Sequence, residues 1–239
     1  MKKRRALRIA AAVLLVLAAA VAVYAGDYYR AEETAAMAMK GNETVRVEQT
    51  GNLTVFAPED PAAGFIFYPG GKVEHTAYAP LLLSLAEEDI LCVLVQMPLN
   101  LAVLDSGAAA EIPEQFPELE TWYIGGHSLG GSMAASWAAK HTEELDGLIL
   151  LAAYSTADLQ ASGLDVMSIY GSEDGVLNLG KYTAYLPNLP ENTLEVVIPG
   201  GNHAQFGWYG DQDGDGTAAI SREEQLQITV RSILERINN

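Results

Sequence analysis

The sequence predicts an α/β fold in which a mostly parallel, doubly wound sheet is flanked by helices. Segments typical of strands alternate with segments typical of helices from residue 64 onward. Two of these strands, at 90–96 and 145–152, are nearly continuous apolar runs, as expected for strands buried on both faces. A serine between glycines, Ser128, separates a third strand from a helix. The 239 residues, 49% of them apolar, suffice for one domain with a sizeable core.

The first 25 residues have the composition of an export signal. Basic residues at positions 2–5 and 8 precede an uncharged apolar run over 9–25, and Val23-Tyr24-Ala25 fits a cleavage site. The run is also nearly long enough for an uncleaved signal-anchor transmembrane helix, so both alternatives stay open. A buried N-terminal helix is disfavoured because the run has no polar face. Basic residues that flank an apolar segment stay on the cytoplasmic side of a membrane. The domain after the segment is therefore expected outside the cytoplasm, either membrane-anchored or secreted.

The remainder of the chain is strongly acidic. No acidic residue lies in the first 25 positions, so 9 basic and 31 acidic residues follow, a net charge of −22. Such a domain is expected to repel nucleic acid and anionic lipid. Cys92 is the only cysteine, which excludes an internal disulfide, and its apolar surroundings predict a buried, inert thiol.

The domain is predicted to begin at residue 43, after a polar segment over 26–42 that reads as a linker or a short helix. A hairpin over 45–49 and 53–57 comes first, with Thr50-Gly51-Asn52 between its strands. Further strands are predicted at 64–68, 90–96, 121–126, 145–152, 165–170 and 194–198, and helices at 77–88, 128–141, 178–185 and 221–237. Ligands bind beyond the carboxyl ends of parallel strands, so residues just after each strand are the candidates for function.

Ser128 is the first of these candidates. It lies in Gly126-His127-Ser128-Leu129-Gly130, between a predicted strand and a predicted helix. A sharp strand-to-helix turn needs small flanking residues, which Gly126 and Gly130 supply. The helix N-terminus also favours a developing anion, so the motif predicts a nucleophile elbow with Ser128 as nucleophile.

A serine nucleophile needs a base, and four histidines are available. His127 is expected to point away from the nucleophile, and His141 closes a helix. His75 lies near the predicted site but has no obvious acidic partner. His203, just after the last predicted strand, is therefore the predicted base.

The acid that orients the base is predicted in the loop Gly171-Ser172-Glu173-Asp174-Gly175. Asp174 is the predicted member of the triad, and Glu173 is the alternative if the loop register differs by one residue. The chain order serine, aspartate, histidine differs from the orders found in the two familiar serine protease folds.

Backbone amides are expected to stabilise the oxyanion. One donor is the N–H of Leu129, the residue after the nucleophile. The second is predicted in the loop after strand 64–68, which reads Pro69-Gly70-Gly71-Lys72, with Gly71 or Lys72 favoured. A plain Pro-Gly turn is the alternative interpretation of that loop.

Together the elbow, the Pro-Gly-Gly loop, the acid loop and Gly200-Gly201-Asn202-His203 resemble a bacterial α/β-hydrolase family over almost all of the chain after the N-terminal segment. More narrowly, the chain is similar to small, lidless hydrolases grouped near dienelactone hydrolases and short-chain esterases. The resemblance implies the α/β-hydrolase fold and a carboxylic ester hydrolase. Dienelactone hydrolases use a cysteine nucleophile, so dienelactone activity is not implied for Ser128.

Only residues 154–164 separate two consecutive predicted strands where larger relatives insert a cap, so no cap domain is expected. An open pocket is predicted, with apolar and aromatic walls that could equally be core: Tyr68, Leu99, Leu101, Tyr154 and Phe206, with Trp208 as a neighbour.

The acidic loop at 211–216 is a weak cation candidate. Asp211, Asp213 and Asp215 alternate before Gly216, as at the start of a calcium loop. The twelfth position is Arg222 where a glutamate is needed, so a solvated acidic turn is the favoured interpretation. No metal is predicted to take part in the chemistry.

These residues predict hydrolysis of an ester, thioester or amide through an acyl-enzyme, acting on a small-molecule acyl substrate without a cofactor. An acyltransferase with the same triad is the enzymatic alternative. A catalytically silent, membrane-tethered binding protein is disfavoured, because such a protein would have no chemical need for all three triad residues.

Overall fold

An eight-stranded sheet forms the centre of the molecule in a computed structural model, which describes residues 2–238. For residues 2, 3, 5–8, 10, 17, 18 and 20 only the backbone is described. The strands in chain order are β1 (Arg46–Thr50), β2 (Leu53–Ala57), β3 (Ala63–Tyr68), β4 (Ile90–Val95), β5 (Trp122–His127), β6 (Gly147–Leu151), β7 (Asp165–Gly171) and β8 (Leu194–Ile198).

The spatial order of the strands is β1-β2-β4-β3-β5-β6-β7-β8. The hairpin β1–β2 and the pair β2–β4 are antiparallel, and every other pair is parallel. β5 lies near the middle, between β3 and β6, so the residues that follow these three strands meet at one edge of the sheet. The predicted doubly wound α/β sheet is confirmed.

The helices are α1 (Lys2–Gly26), α2 (Glu33–Ala38), α3 (Ala79–Ala86), α4 (Leu129–Ala138), α5 (Leu179–Tyr185) and α6 (Arg222–Ile237). A 3₁₀ turn over His75–Tyr78 leads into α3, so the predicted helix at 77–88 is shorter than expected. The other predicted elements agree with the structure apart from a few residues at their ends.

Two apolar cores cover the two faces of the sheet. Phe65 and Phe67 of β3 belong to the core beneath α3 and α6, and Ile66 and Tyr68 belong to the core beneath α4. Successive residues of a strand point to opposite faces, so β3, with all six residues buried, serves both cores. Cys92 is fully buried, and its pKa is raised well above the usual range because burial disfavours the thiolate.

The segment predicted as a linker or short helix contains α2, which packs on the domain. Ala35 is fully buried, and Tyr29 forms an isolated bridge with Val73 beside the loop after β3. The Lys72 ammonium lies 3.8 Å from the centre of the Tyr24 ring in α1. These contacts place the end of α1 and the segment after it against the domain.

The predicted export segment falls within α1. Among the residues that the structure describes, no helix is both long and apolar enough to cross a membrane. Several side chains of the segment, including most of its basic residues, lie outside the described set. The signal peptide and the signal anchor both stay predictions.

Candidate active site

Ser128 occupies a strained turn between β5 and α4. Its φ of 52° and ψ of −121° are unusual for a residue with a side chain. Close backbone packing makes the flanking glycines necessary, since a Cβ on Gly130 would lie 2.3 Å from the carbonyl oxygens of Tyr68 and Pro69. The N–H of Ser128 donates to the oxygen of Leu151 at 2.9 Å, which fixes the turn to β6.

Asp174 and His203 form a buried pair. Asp174 Oδ2 lies 2.9 Å from His203 Nδ1, and each side chain is 1% exposed. The other oxygen, Asp174 Oδ1, accepts the N–H groups of Val176 at 2.9 Å and Leu177 at 2.7 Å. Because an ionised carboxylate only accepts hydrogen bonds, His203 Nδ1 is the donor in this contact, and in the neutral imidazole Nε2 is then the acceptor.

His203 Nε2 is buried and has no hydrogen-bond partner among the described residues. His203 and Ser128 line the same cavity, which has a volume of about 240 Å³. The structure therefore brings the three predicted triad residues to one place. Ser128 does not hydrogen-bond Nε2 in this structure, but an unpartnered histidine nitrogen in the same cavity as a serine can accept the proton of that serine or of a water.

The alternative acid, Glu173, points elsewhere. It is exposed, and its carboxylate accepts a hydrogen bond from the hydroxyl of Ser172 at 2.9 Å. Its main chain is nevertheless part of the loop, because its N–H donates to Gly201 in the segment before the base.

His75 and His141 lie apart from the pair. His141 stacks on Trp137 with ring centres 4.1 Å apart and contacts Glu144 at 2.8 Å on the surface. His75 begins the turn before α3, and burial lowers its pKa while the Glu74 carboxylate opposes that shift.

His127 is closer to the site than expected. Its ring centre is 4.4 Å from that of His203, and Tyr78 Oη lies 2.8 Å from its Nδ1. Tyr78 Oη also accepts the N–H of Gly70 at 3.1 Å, so this tyrosine links the loop after β3 to His127. Burial, followed by the neighbouring His203, holds the pKa of His127 well below its usual range. His127 is thus held in its neutral form beside His203.

The loop after β3 offers one amide for an oxyanion. The N–H of Gly70 is used by Tyr78, and the N–H of Lys72 donates to Asn100 at 2.8 Å. None of the described residues accepts a hydrogen bond from Gly71. A Cβ on Gly71 would lie 2.9 Å from the side chain of Leu129, the first residue of α4. Of the predicted loop donors, Gly71 alone is both unoccupied and adjacent to the elbow.

The cavity beside Ser128 has different walls from those predicted. Tyr154 lines it, and the other lining residues are Leu129, Ser132, Ala152, Ala153, Val176, Leu177 and Asn178. Sequence reasoning missed the 176–178 segment, although it directly follows the predicted acid loop. Larger surface grooves lie elsewhere and contain none of the triad residues.

The other predicted pocket residues lie outside this cavity. Tyr68 is fully buried, and its hydroxyl bonds the backbone of Ser106 and Ala109. Phe206 is 3% exposed and packs near His127. The rings of Tyr68 and Phe206 therefore belong to the core. Leu99 is 45% exposed, and the Leu101 side chain lies 3.8 Å from where a Cβ on Gly71 would be.

The acidic loop is not arranged as a cation site. Among the described residues, no group of three or more His, Cys, Asp or Glu side chains is placed to hold a metal ion. Asp211 and Asp213 are exposed. Both oxygens of Asp215 accept backbone N–H groups, which would repel a cation.

Comparisons with known proteins identify the family and the fold of the chain. A model of the alpha/beta hydrolase family matches residues 64–227, and no curated protein matches the chain. Among solved structures, TT1662 from Thermus thermophilus is 16% identical, with a TM-score of 0.61 over 82% of this chain and 99% of that one.

A dienelactone hydrolase from Anabaena variabilis is 12% identical, with a TM-score of 0.60 over 81% of this chain and 99% of that one. Carboxyl esterase 2 from Tuber melanosporum is 10% identical, with a TM-score of 0.60 over 88% and 91%. At such identities the structures show a shared fold. The family match covers more than half of the sequence and includes Ser128, Asp174 and His203. This chain belongs to the alpha/beta hydrolase family.

Proposed function

We propose that this hydrolase cleaves esters of compact carboxylic acids through an acyl-enzyme formed on Ser128. The observation that carries the proposal is the buried Asp174–His203 pair, whose unpartnered Nε2 shares a cavity with Ser128. The name of carboxyl esterase 2, which has a similar fold, favours ester chemistry. Cys92 is fully buried, and burial raises its pKa, which disfavours the cysteine mechanism of dienelactone hydrolases.

In the first step, Ser128 Oγ attacks the ester carbonyl carbon while its proton passes to His203 Nε2. The carbonyl electron pair moves to oxygen, where the N–H groups of Gly71 and Leu129 stabilise it. When the tetrahedral intermediate collapses, the ester C–O bond breaks and the leaving alcohol takes the proton from Nε2. Water then attacks the carbonyl carbon of the acyl-enzyme in the same way, which releases the carboxylic acid and restores the serine hydroxyl.

Two features support proton transfer to His203. Asp174 holds the Nδ1 proton and faces the imidazolium with a negative charge. His127, 4.4 Å from the His203 ring, is kept neutral because burial lowers its pKa. It therefore adds no positive charge that would oppose formation of the imidazolium.

The cavity limits the substrate. Its volume of about 240 Å³ is small for a ligand site, and its walls are mostly apolar side chains, among them Ala153, Val176 and Leu177. A short or compact acyl group fits this space, whereas a long acyl chain would have to extend into solvent. We expect turnover to fall as the acyl chain grows beyond a few carbons.

A fluorophosphonate probe and a series of p-nitrophenyl esters of increasing acyl length test the proposal. Ser128→Ala should lose labelling and nearly all turnover. Ser136→Ala is the matched control, because this serine lies two turns further along α4 and its hydroxyl bonds Ser132 O at 3.0 Å. Labelling that persists in Ser128→Ala, or turnover equal to that of the control, would contradict the assignment.

We also propose that the domain functions outside the cytoplasm. The support is the basic cluster before the apolar run, which is typical of exported chains. Protease added to cells with a permeable outer layer should digest the domain, and a cytoplasmic marker should survive. Equal protection of both would reverse this topology.

A further inference from the structure

We propose that Asp215 is a positioning residue that holds the catalytic acid and base loops in register, a role that rests on the proposed function. Its carboxylate lies between two loops that are far apart in sequence. Asp215 Oδ1 accepts the N–H of Gly175 at 3.0 Å and the N–H of His203 at 3.2 Å. Asp215 Oδ2 accepts the N–H of Ala204 at 2.8 Å.

These bonds reach the immediate neighbourhood of both catalytic side chains. Gly175 follows Asp174, and His203 is itself the base, so one carboxylate fixes the main chain on either side of the 2.9 Å contact between them. Amide groups that converge on an ionised carboxylate form stronger bonds than neutral pairs do. A shift of either loop would lengthen the Asp174–His203 contact unless both moved together.

The segment around Asp215 is packed into the same junction. A Cβ on Gly216 would lie 1.9 Å from the carbonyl oxygen of Glu173, and the Gly216 oxygen accepts a hydrogen bond from the Asn202 side chain at 2.8 Å. Asp215 Oδ1 also accepts the N–H of Gly216 at 2.8 Å, which closes the turn. The acidic loop thus contacts the residue before each catalytic side chain.

Two variants test the role. Asp215→Asn keeps the shape but places an amide donor against an N–H group, and Asp215→Ala leaves the amides of Gly175, His203 and Ala204 without this acceptor. We expect kcat to fall about tenfold in Asp215→Asn and about a hundredfold in Asp215→Ala, with KM changed less than twofold. Asp211→Asn, an exposed acid of the same loop, is the matched control and should retain full kcat.

A second readout does not depend on turnover. The proton between His203 Nδ1 and Asp174 should give a far-downfield ¹H NMR signal, which Asp174→Asn identifies by its loss. That signal should shift or broaden in both Asp215 variants and stay unchanged in Asp211→Asn. If no variant or wild type hydrolyses esters, the proposed function fails while the NMR comparison still tests the positioning role.

Circular dichroism and thermal melting show whether each variant is folded. Folded Asp215 variants with an unchanged NMR signal and unchanged kcat would overturn the proposal. If Asp215→Ala does not fold, Asp215→Asn decides the question by the same criteria. Loss of the native fold in both variants would also overturn it, since Asp215 would then be a determinant of folding rather than of positioning.

Discussion

Replacing Asp174 by Asn tests the proton assignment of the triad most directly. Asp174 Oδ1 accepts two backbone N–H groups, from Val176 at 2.9 Å and Leu177 at 2.7 Å. The asparagine oxygen must take that place, because an amide NH₂ there would face two donors. Its NH₂ group then faces His203 Nδ1, which becomes an acceptor, and the histidine proton moves to Nε2. In this tautomer His203 cannot accept the proton of Ser128.

The size of the loss follows from this change of tautomer. In serine triads generally, the same substitution costs about ten-thousandfold in kcat, or about 5 kcal/mol of transition-state stabilisation. KM should change little, because Asp174 is buried and does not line the cavity beside Ser128. Steady-state hydrolysis of a short p-nitrophenyl ester measures both constants.

Glu173→Gln is the matched control for this prediction. Glu173 is exposed, and among the described residues its side chain bonds only the hydroxyl of Ser172, so kcat should stay within about twofold of wild type. Both variants should show a cooperative thermal unfolding transition like that of the wild type. A large loss of kcat in Glu173→Gln, with near-normal kcat in Asp174→Asn, would refute the reasoning and would assign the acid to Glu173 instead.

Further predictions concern the oxyanion loop, the elbow, His127 and Cys92. Gly71→Ala, whose Cβ would lie 2.9 Å from the Leu129 side chain, should lower kcat about tenfold or more with normal folding by circular dichroism. Gly130→Ala should yield no folded protein in a solubility and melting assay, because its Cβ would meet two backbone oxygens at 2.3 Å. The pKa of His127 is lowered in the folded state, so the unfolded chain binds a proton near pH 6.5 that the native site does not. The free energy of unfolding therefore falls as the pH drops below about 6.5, by up to about 1.4 kcal/mol per pH unit. Urea unfolding at a series of pH values should show that the free energy of unfolding depends less on pH in His127→Gln. Cys92 should react with a thiol reagent in denaturant and stay unreactive in the native protein, since burial raises its pKa.

The order of elements could be predicted from the sequence because local signals agree with the fold. Apolar runs of strand length, the Thr50-Gly51-Asn52 turn and the glycines around Ser128 each specify backbone geometry over a few residues. The predicted fold, family and enzyme class are confirmed by the sheet and by the family match. The triad, inferred from residues just after strands, stays a prediction that the geometry favours.

The walls of the site could not be predicted in the same way. Tyr68 and Phe206 have the composition of pocket residues, but strand alternation and packing direct both into the core. Tyr78 fixes the loop after β3 through the N–H of Gly70, a contact that no sequence spacing encodes. Which amide is left for an oxyanion depends on such tertiary contacts, and only the structure distinguishes Gly71 from its neighbours.

In the proposed mechanism, the short segment after Asp174 links substrate selection to rate. The amides of Val176 and Leu177 hold the Asp174 carboxylate, while the same two residues line the cavity beside Ser128. Evolution toward bulkier substrates by changes at these positions would therefore alter turnover as well as selectivity. Tyr154, which follows β6, also lines the cavity but bonds none of the triad residues. Changes at Tyr154 can therefore alter selectivity without altering turnover.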